Sequence, residues 1–259
     1  MSEVNCSSSE YAEIARDCRR TVLKMIYRAQ TSHVASNFSC TEIMTALFEQ
    51  VMTKDDELIL SKGWAVATLY YFLVRHKILP REAITTYCAP GSKYIGLAEP
   101  MPGIPFAGGS VGMGLSAGFG RALAKKILKE PGKVYVIESD GGLDAGLVWE
   151  AMLLAAHWRL DNLTLIIDDN KWCAMGRKED VLSIKGMEKT FKSRAWEVVR
   201  VDGHDMMALA KAMKKPQKKP RCIFANTVKG KGVSFMEDDN TWHYWRVNRK
   251  AYRDALKEL

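Results

Sequence analysis

Two short polar runs hold the most informative chemistry of this chain: Ser139-Asp140-Gly141 and Asp168-Asp169-Asn170. Each ends an apolar, β-branched segment, KVYVIES (133–139) and LTLIIDD (163–169), of the kind that forms a buried strand. Thirty residues separate Asp140 from Asn170, the length of one strand–helix–strand unit. Such a unit sets both side chains at the carboxyl edge of a parallel sheet, where ligands bind in open α/β folds. One carboxylate with one amide oxygen is hard-oxygen ligation, suited to Mg²⁺ or Ca²⁺ and not to zinc. Mg²⁺ keeps positions open for phosphate oxygens. Gly141 lets backbone approach a diphosphate, and the helix that follows offers N–H groups to it. Either run alone reads as a turn; the pair at this separation gives the signal.

The elements that must position these residues are legible from periodicity. Apolar residues at helical spacing predict helices over 10–30, 41–52 (with Thr41 as cap), 64–77, 111–128, 147–157 and 205–214. Short apolar or β-branched runs predict strands at 58–61, 133–139, 163–169, 196–203 and 221–228. Glycine and proline punctuate 88–110 as loop. Alternating strands and helices predict an α/β fold: a doubly wound, mostly parallel sheet with helices on both faces. With 259 residues, 47% hydrophobic and 26% charged, the chain suits one large domain.

Composition also excludes classes. No run of 18 or more apolar residues suggests a membrane span, and the N-terminus lacks the pattern of a secretory signal. Six scattered cysteines without CxxC spacing read as free thiols, which predicts a cytoplasmic protein. The net charge of +8 suits phosphorylated ligands. Its densest stretch, KAMKKPQKKPR (211–221), has no interleaved aromatics and reads as a solvated helix end, not a nucleic-acid surface.

Beyond these readings, the run SDGGLDAGLVWEAMLLAAHWRLDNLTLIIDDNKW (139–172) resembles the thiamine-diphosphate motif of transketolases. So do Ser32-His33, LSKG (60–63), PGIPFAGGSVGMGLSAGFGRALA (102–124), VDGHD (201–205) and TVKGKGVSFMEDDNTWH (227–243). The resemblance spans residues 15–245. It implies thiamine diphosphate and Mg²⁺ (or Ca²⁺) as cofactors, with Asp140, Asn170 and the Trp172 carbonyl as metal ligands. It implies cofactor contacts from His33, Trp64, Gly109, Ser110, Val111, Asp140, Gly141, Gly142, Glu150, Asn170, Lys229 and His243, and catalytic roles for His33 and His243. The implied reaction moves a two-carbon ketol unit from a ketose phosphate to an aldose phosphate.

The resemblance also implies that 1–259 form only the diphosphate-binding domain. The pyrimidine-binding and C-terminal domains of full-length transketolases, with the glutamate that hydrogen-bonds the pyrimidine, are expected on a partner chain in an α₂β₂ assembly. Some positions depart from the family pattern. Trp64 stands at the histidine of SKGH, Leu97 at that of Gly-His-Pro-Glu, and Ala145 at a glutamate. Ser36-Asn37 replace the usual glycine- and proline-rich continuation after the first histidine. Two lost histidines remove groups from around the reacting carbons and open the identity of the sugars. Two other readings stand beside this one: the α-type subunit of a 2-oxoacid decarboxylase or dehydrogenase, and a non-catalytic partner that keeps the fold. His76 and His157 read as packing or surface residues, and His204 as a turn residue.

Overall fold

The computed structural model describes residues 7–182 and 186–259. The first helix, α1 (Ser8–Ala29), opens on a capping box in which Ser7 and Glu10 satisfy each other's backbone N–H groups. Its apolar stripe is buried. Next come two six-residue helices, α2 (Val34–Ser39) and α3 (Thr41–Ala46), and a π-helical turn over Leu47–Val51. Strand β1 (Glu57–Leu60) then leads to α4 (Val66–Arg75) and α5 (Glu82–Thr85). After a long loop come α6 (Met113–Leu128), β2 (Val134–Ser139), α7 (Gly146–His157) and β3 (Leu163–Asp169). The remainder is α8 (Lys178–Val181), α9 (Met187–Ser193), β4 (Glu197–Asp202), α10 (Met206–Lys214), β5 (Arg221–Asn226) and α11 (Arg249–Glu258).

The five strands form one all-parallel sheet in the order β1-β2-β3-β5-β4. Alternate residues of each strand feed opposite cores. Tyr135, Ile137, Ile166 and Ile223 pack with α1 to α4 and with α10 and α11. Val134, Val136, Leu165, Ile167 and Phe224 pack with α6, α7 and α9. Every residue of β2 and β3 is buried, which is why these strands read as unbroken apolar runs. The doubly wound α/β class predicted above is the fold observed.

Two local expectations are corrected. The helix predicted over 41–52 stops at Ala46 and gives way to the π-helical turn. Thr41 does not cap it: its hydroxyl donates back to the Asn37 carbonyl at 3.1 Å, a bond open to a residue already inside a helical turn. Helix α2 has no counterpart among the predicted helices, because all six of its residues are buried and no amphipathic period marks it.

The register places Ser139 beside Asp168 across β2–β3, and Asp169 beside Asn226 across β3–β5. The two polar runs therefore leave adjacent strands at the same edge. Close backbone approach shapes the edge further. A Cβ on Gly63 would lie 2.4 Å from the Gly108 carbonyl carbon. That contact seats the 96–110 loop, bonded through Ala98 N–H to the Gly63 carbonyl at 3.1 Å, against the end of β1.

Candidate functional site

A cleft of about 340 Å³ lies over the carboxyl ends of β1, β2 and β3. Its walls include His33, Trp64, Val111, Gly141, Gly142, Asn170, Trp172, Lys229 and His243 from the residues singled out in the sequence. They also include Ser36, Lys62, Ser139, Asp144, Cys173 and Tyr244, to which the sequence alone assigns no role. Asp140 borders an adjoining crevice of about 460 Å³ together with Asp169. Gly109, Ser110 and Glu150 are not among the lining residues of the cleft. Gly109 and Ser110 belong to the turn just before Val111, and Glu150 is exposed on α7.

Beside the cleft, at the ends of β2 and β3, lie three carboxylates, each treated differently by its surroundings. Asp168 is fully buried and forms an ion pair with the fully buried Lys62. It also accepts hydrogen bonds from Ser39 at 2.6 Å and from Thr227. Burial alone would raise its pKa, but Lys62 and the two hydroxyls hold it below the usual range. Asp169 pairs with Arg200 at 2.7 Å and with Lys171 at 2.5 Å. Asp140 has no cationic side-chain partner among the described residues. Its two oxygens accept the N–H groups of Gly141 at 2.9 Å and Lys171 at 2.7 Å. Burial, with repulsion from Asp168 and Asp169, pushes its pKa up to about 7. A buried carboxylate in this position is relieved by a cation.

Asn170 presents its amide beside this group. Its Nδ2 donates to Asp168 at 3.3 Å, which fixes the amide flip, and its Oδ1 accepts the Trp172 N–H at 3.1 Å. No cluster of three or more His, Cys, Asp or Glu residues among the described residues could hold a metal by itself. The donor set fits an ion that draws one carboxylate and one amide oxygen from these side chains and takes further oxygens from a phosphate.

Opposite stands a buried cation with no carboxylate bonded to it among the described residues. Lys229 is 1% exposed and contacts two neutral groups, Asn240 Oδ1 at 2.6 Å and His243 Nδ1 at 2.9 Å. Burial, with the Lys62 cation adding to it, pulls its pKa down to about 8. His33 packs edge-on against His243 with ring centroids 4.8 Å apart, and its Nδ1 lies 2.8 Å from Ser32 Oγ. Burial, then the Lys229 charge, lowers His33 to about 4 and His243 to about 3, so both are neutral near pH 7. With Nδ1 of His243 accepting from Lys229, its Nε2 carries the proton and is a donor.

Supporting contacts explain why these groups hold still. His204 is more than a turn residue. Its Nε2 accepts the Val228 N–H at 2.8 Å, and its Nδ1 meets Glu42 at 2.9 Å, so it props the segment that carries Lys229. Glu42 is in turn gripped by Arg19 at 2.6 Å. His76 pairs with Glu49 at 2.9 Å and His157 packs against Trp158, both away from the cleft. A Cβ on Gly142 would strike the buried Glu138 carboxyl at 2.1 Å, so only glycine fits this turn below the cleft.

Known proteins resemble the chain in sequence and in fold. Residues 11–250 match the family described as transketolase, thiamine diphosphate binding domain. One of the apulose-4-phosphate transketolase subunits of Phocaeicola vulgatus is 32% identical, over 93% of this chain and 90% of its own length. The 6-deoxy-6-sulfo-D-fructose transketolase subunit SqwG of a Clostridium species is also 32% identical, with 93% of each chain covered. The transketolase structure from Campylobacter jejuni superposes with a TM-score of 0.90 at 25% identity, covering 98% of this chain and 43% of that one. A Pichia stipitis transketolase crystallised with sedoheptulose 7-phosphate gives 0.89 at 27% identity, covering 97% of this chain and 41% of that one. The chain therefore spans about two fifths of these longer structures and nearly all of the subunit-sized relatives.

Proposed function

The chain belongs to the transketolase family, as its N-terminal, thiamine-diphosphate-binding part, and we propose that it works as one half of a two-chain enzyme that completes its site with a pyrimidine-domain subunit. The reaction is transfer of a two-carbon ketol unit from a ketose phosphate to an aldose phosphate. The observation that carries this reading is a pair of unmatched charges in adjoining hollows, Lys229 in the cleft and Asp140 in the crevice beside it. Among the described residues, Asp140 is a buried anion without a cation, and Lys229 is a buried cation without an anion. A divalent ion bound to a diphosphate satisfies both at once.

Within that frame Asp140, Asn170 Oδ1 and the Trp172 carbonyl would hold Mg²⁺, while Lys229 and the Nε2–H of His243 would hold diphosphate oxygens. When bound, thiamine diphosphate supplies the electron sink that stabilises a carbanion. His33 and His243, kept neutral by burial, orient substrate hydroxyls and can accept a proton without first losing one. The free thiols among the described residues (Cys18, Cys40, Cys88, Cys173 and Cys222) suit a reducing, cytoplasmic setting; Cys6 lies outside them. No helix among the described residues is long and apolar enough to cross a membrane.

Surface chemistry supports a partner. Val111, Met175, Tyr244 and Trp245 are exposed around or beside the cleft mouth, where the glutamate of the second chain must enter. Helix α7 is apolar around most of its circumference, yet Leu147, Leu153 and Leu154, with Trp158 at its C-terminal cap, are 40–48% exposed. A helix of that composition is normally covered on all sides. Leu154→Asp is expected to reduce the α₂β₂ assembly to smaller species in analytical ultracentrifugation, with an unchanged circular dichroism spectrum. An unchanged mass would remove α7 from the interface.

The pKa shifts also lead to an expected pH profile for binding of Mg²⁺ and thiamine diphosphate. Below about 7 a proton on Asp140 competes with the metal, and above about 8 Lys229 loses the charge that attracts diphosphate. Affinity of the assembled complex is thus expected to peak between these values and fall on both sides. Lys229→Met removes the alkaline limb, and a profile flat from mildly acidic to alkaline pH contradicts the assignment.

The reaction itself is tested by incubating the reconstituted pair with xylulose 5-phosphate and an aldose acceptor, and separately with pyruvate. Ketol transfer from the ketose phosphate is expected. Turnover of pyruvate alone would move the chain to the 2-oxoacid decarboxylases. The departures at Trp64 and Leu97 point to a specialised ketose, so a panel of modified sugar phosphates belongs in the same assay.

A further inference from the structure

Residues 171–178 form a closed hairpin at the cleft mouth that the steps above do not use as a unit. Lys178 N–H donates to the Lys171 carbonyl, and Cys173 N–H to the Gly176 carbonyl, both at 3.0 Å. Trp172 and Arg177 face each other as an antiparallel bridge pair. The base of the hairpin touches both metal-ligating side chains, with Lys171 N–H on Asp140 at 2.7 Å and Trp172 N–H on Asn170 Oδ1 at 3.1 Å. Its inner side lines the cleft through Cys173, Ala174 and Met175.

Asp238, on the segment that also carries Lys229 and His243, closes on this hairpin. Arg177 donates to it through two N–H···O bonds of 2.9 and 2.6 Å. The Trp172 indole Nε1–H donates to the same carboxylate at 2.8 Å. The guanidinium lies over the Trp172 ring, 4.0 Å from its centroid. A second tie runs parallel: Asn240 donates to the Ala174 carbonyl at 3.2 Å while accepting from Lys229. The Asp238 N–H, finally, donates to the Lys229 carbonyl at 2.9 Å.

The side chains of Arg177 and Asp238 are 38% and 55% exposed, so their pairing adds little to global stability. Its geometry has another use. A bidentate fork combined with a stacked indole holds one direction in space, which a lone charge pair does not. We infer that Arg177 and Asp238 are positioning residues: a latch that pins the hairpin to the Lys229–His243 segment and thereby holds Trp172 and Asn170 in place for the metal-bound diphosphate. Neither residue needs to touch cofactor or substrate.

This inference rests on the cofactor reading given above. Its test is a titration of thiamine diphosphate at fixed Mg²⁺ in the reconstituted complex. Arg177→Met and Asp238→Asn are each expected to raise the half-saturating concentration about tenfold, the scale seen for groups that orient metal ligands. The rate at saturating cofactor and the melting temperature of the cofactor-free chain stay as in the parent. Arg177→Lys, which keeps charge but loses the fork, rescues little. The double variant is weakened by less than the product of the two singles, because both remove the Arg177–Asp238 fork. An unchanged half-saturation, a double variant as weak as the product of the singles, or a loss confined to the saturated rate overturns the latch. A parent complex fully active after exhaustive removal of cofactor and metal would instead overturn the cofactor reading, and with it the latch.

Discussion

Asp140→Ala is expected to weaken Mg²⁺-dependent binding of thiamine diphosphate by roughly 100-fold or more, since a charged metal ligand in a buried site contributes several kcal/mol and 1.4 kcal/mol is tenfold. The same substitution should leave the metal-free chain folded. Two backbone hydrogen bonds are lost, at 2.9 and 2.7 Å, each contributing about 1 kcal/mol. Against this, a carboxylate whose pKa burial and neighbouring charges have raised to about 7 is removed, which relieves repulsion from Asp168 and Asp169. Calorimetry on the assembled complex, with thermal melting of the chain alone, separates the two effects. Retained affinity would sink the ligand assignment, and a collapsed fold would make Asp140 a structural residue.

The second large effect falls on the fold. Lys62→Met leaves Asp168 buried without its cation, and breaking a buried pair in this way costs about 3–5 kcal/mol. Both groups are fully buried, and Asp168 also anchors Ser39, Thr227 and Asn170, so relaxation into water is not open to it. In the parent chain Asp168 is held below its ordinary pKa. Its contribution to stability is therefore present above the unfolded carboxylate value and is lost as pH falls through the lower folded value. In Lys62→Met the sign reverses: burial, now opposed only by the Ser39 and Thr227 hydroxyls, raises Asp168, and protonation stabilises the folded form. The stability gap between variant and parent should thus narrow on acidification. Urea unfolding across pH measures it. Lys62→Met/Asp168→Leu is expected to cost less than the sum of the two single substitutions. A gap that stays constant with pH would show that the loss comes from packing of the lysine stem.

The pair proposed to hold the metal is legible in the sequence because its meaning is local. Asp140 and Asn170 each end a strand apolar on both faces, and the parallel fold alone then sets them on one edge. Lys62 stands within LSKG without a legible role, since its partner Asp168 lies 106 residues further along the chain. The same holds for Ser39 and Thr227, whose hydroxyls meet Asp168 only after folding. Helix α2 escapes for a related reason: a helix buried on every side has no periodic pattern. The break in the 41–52 helix turns on a choice between α and π hydrogen bonding that side-chain periodicity does not encode. His204 shows the limit most clearly, because VDGHD reads as a turn while the imidazole spans from Glu42 to the backbone before Lys229.

The half-site can be measured directly by titrating thiamine diphosphate into the chain, its pyrimidine-domain partner, and the two together, each with and without Mg²⁺. Saturable binding at one cofactor per chain, seen only with both chains and the metal and abolished by Asp140→Ala, is the predicted result. Binding that needs neither metal nor partner, or that survives Asp140→Ala, would contradict it.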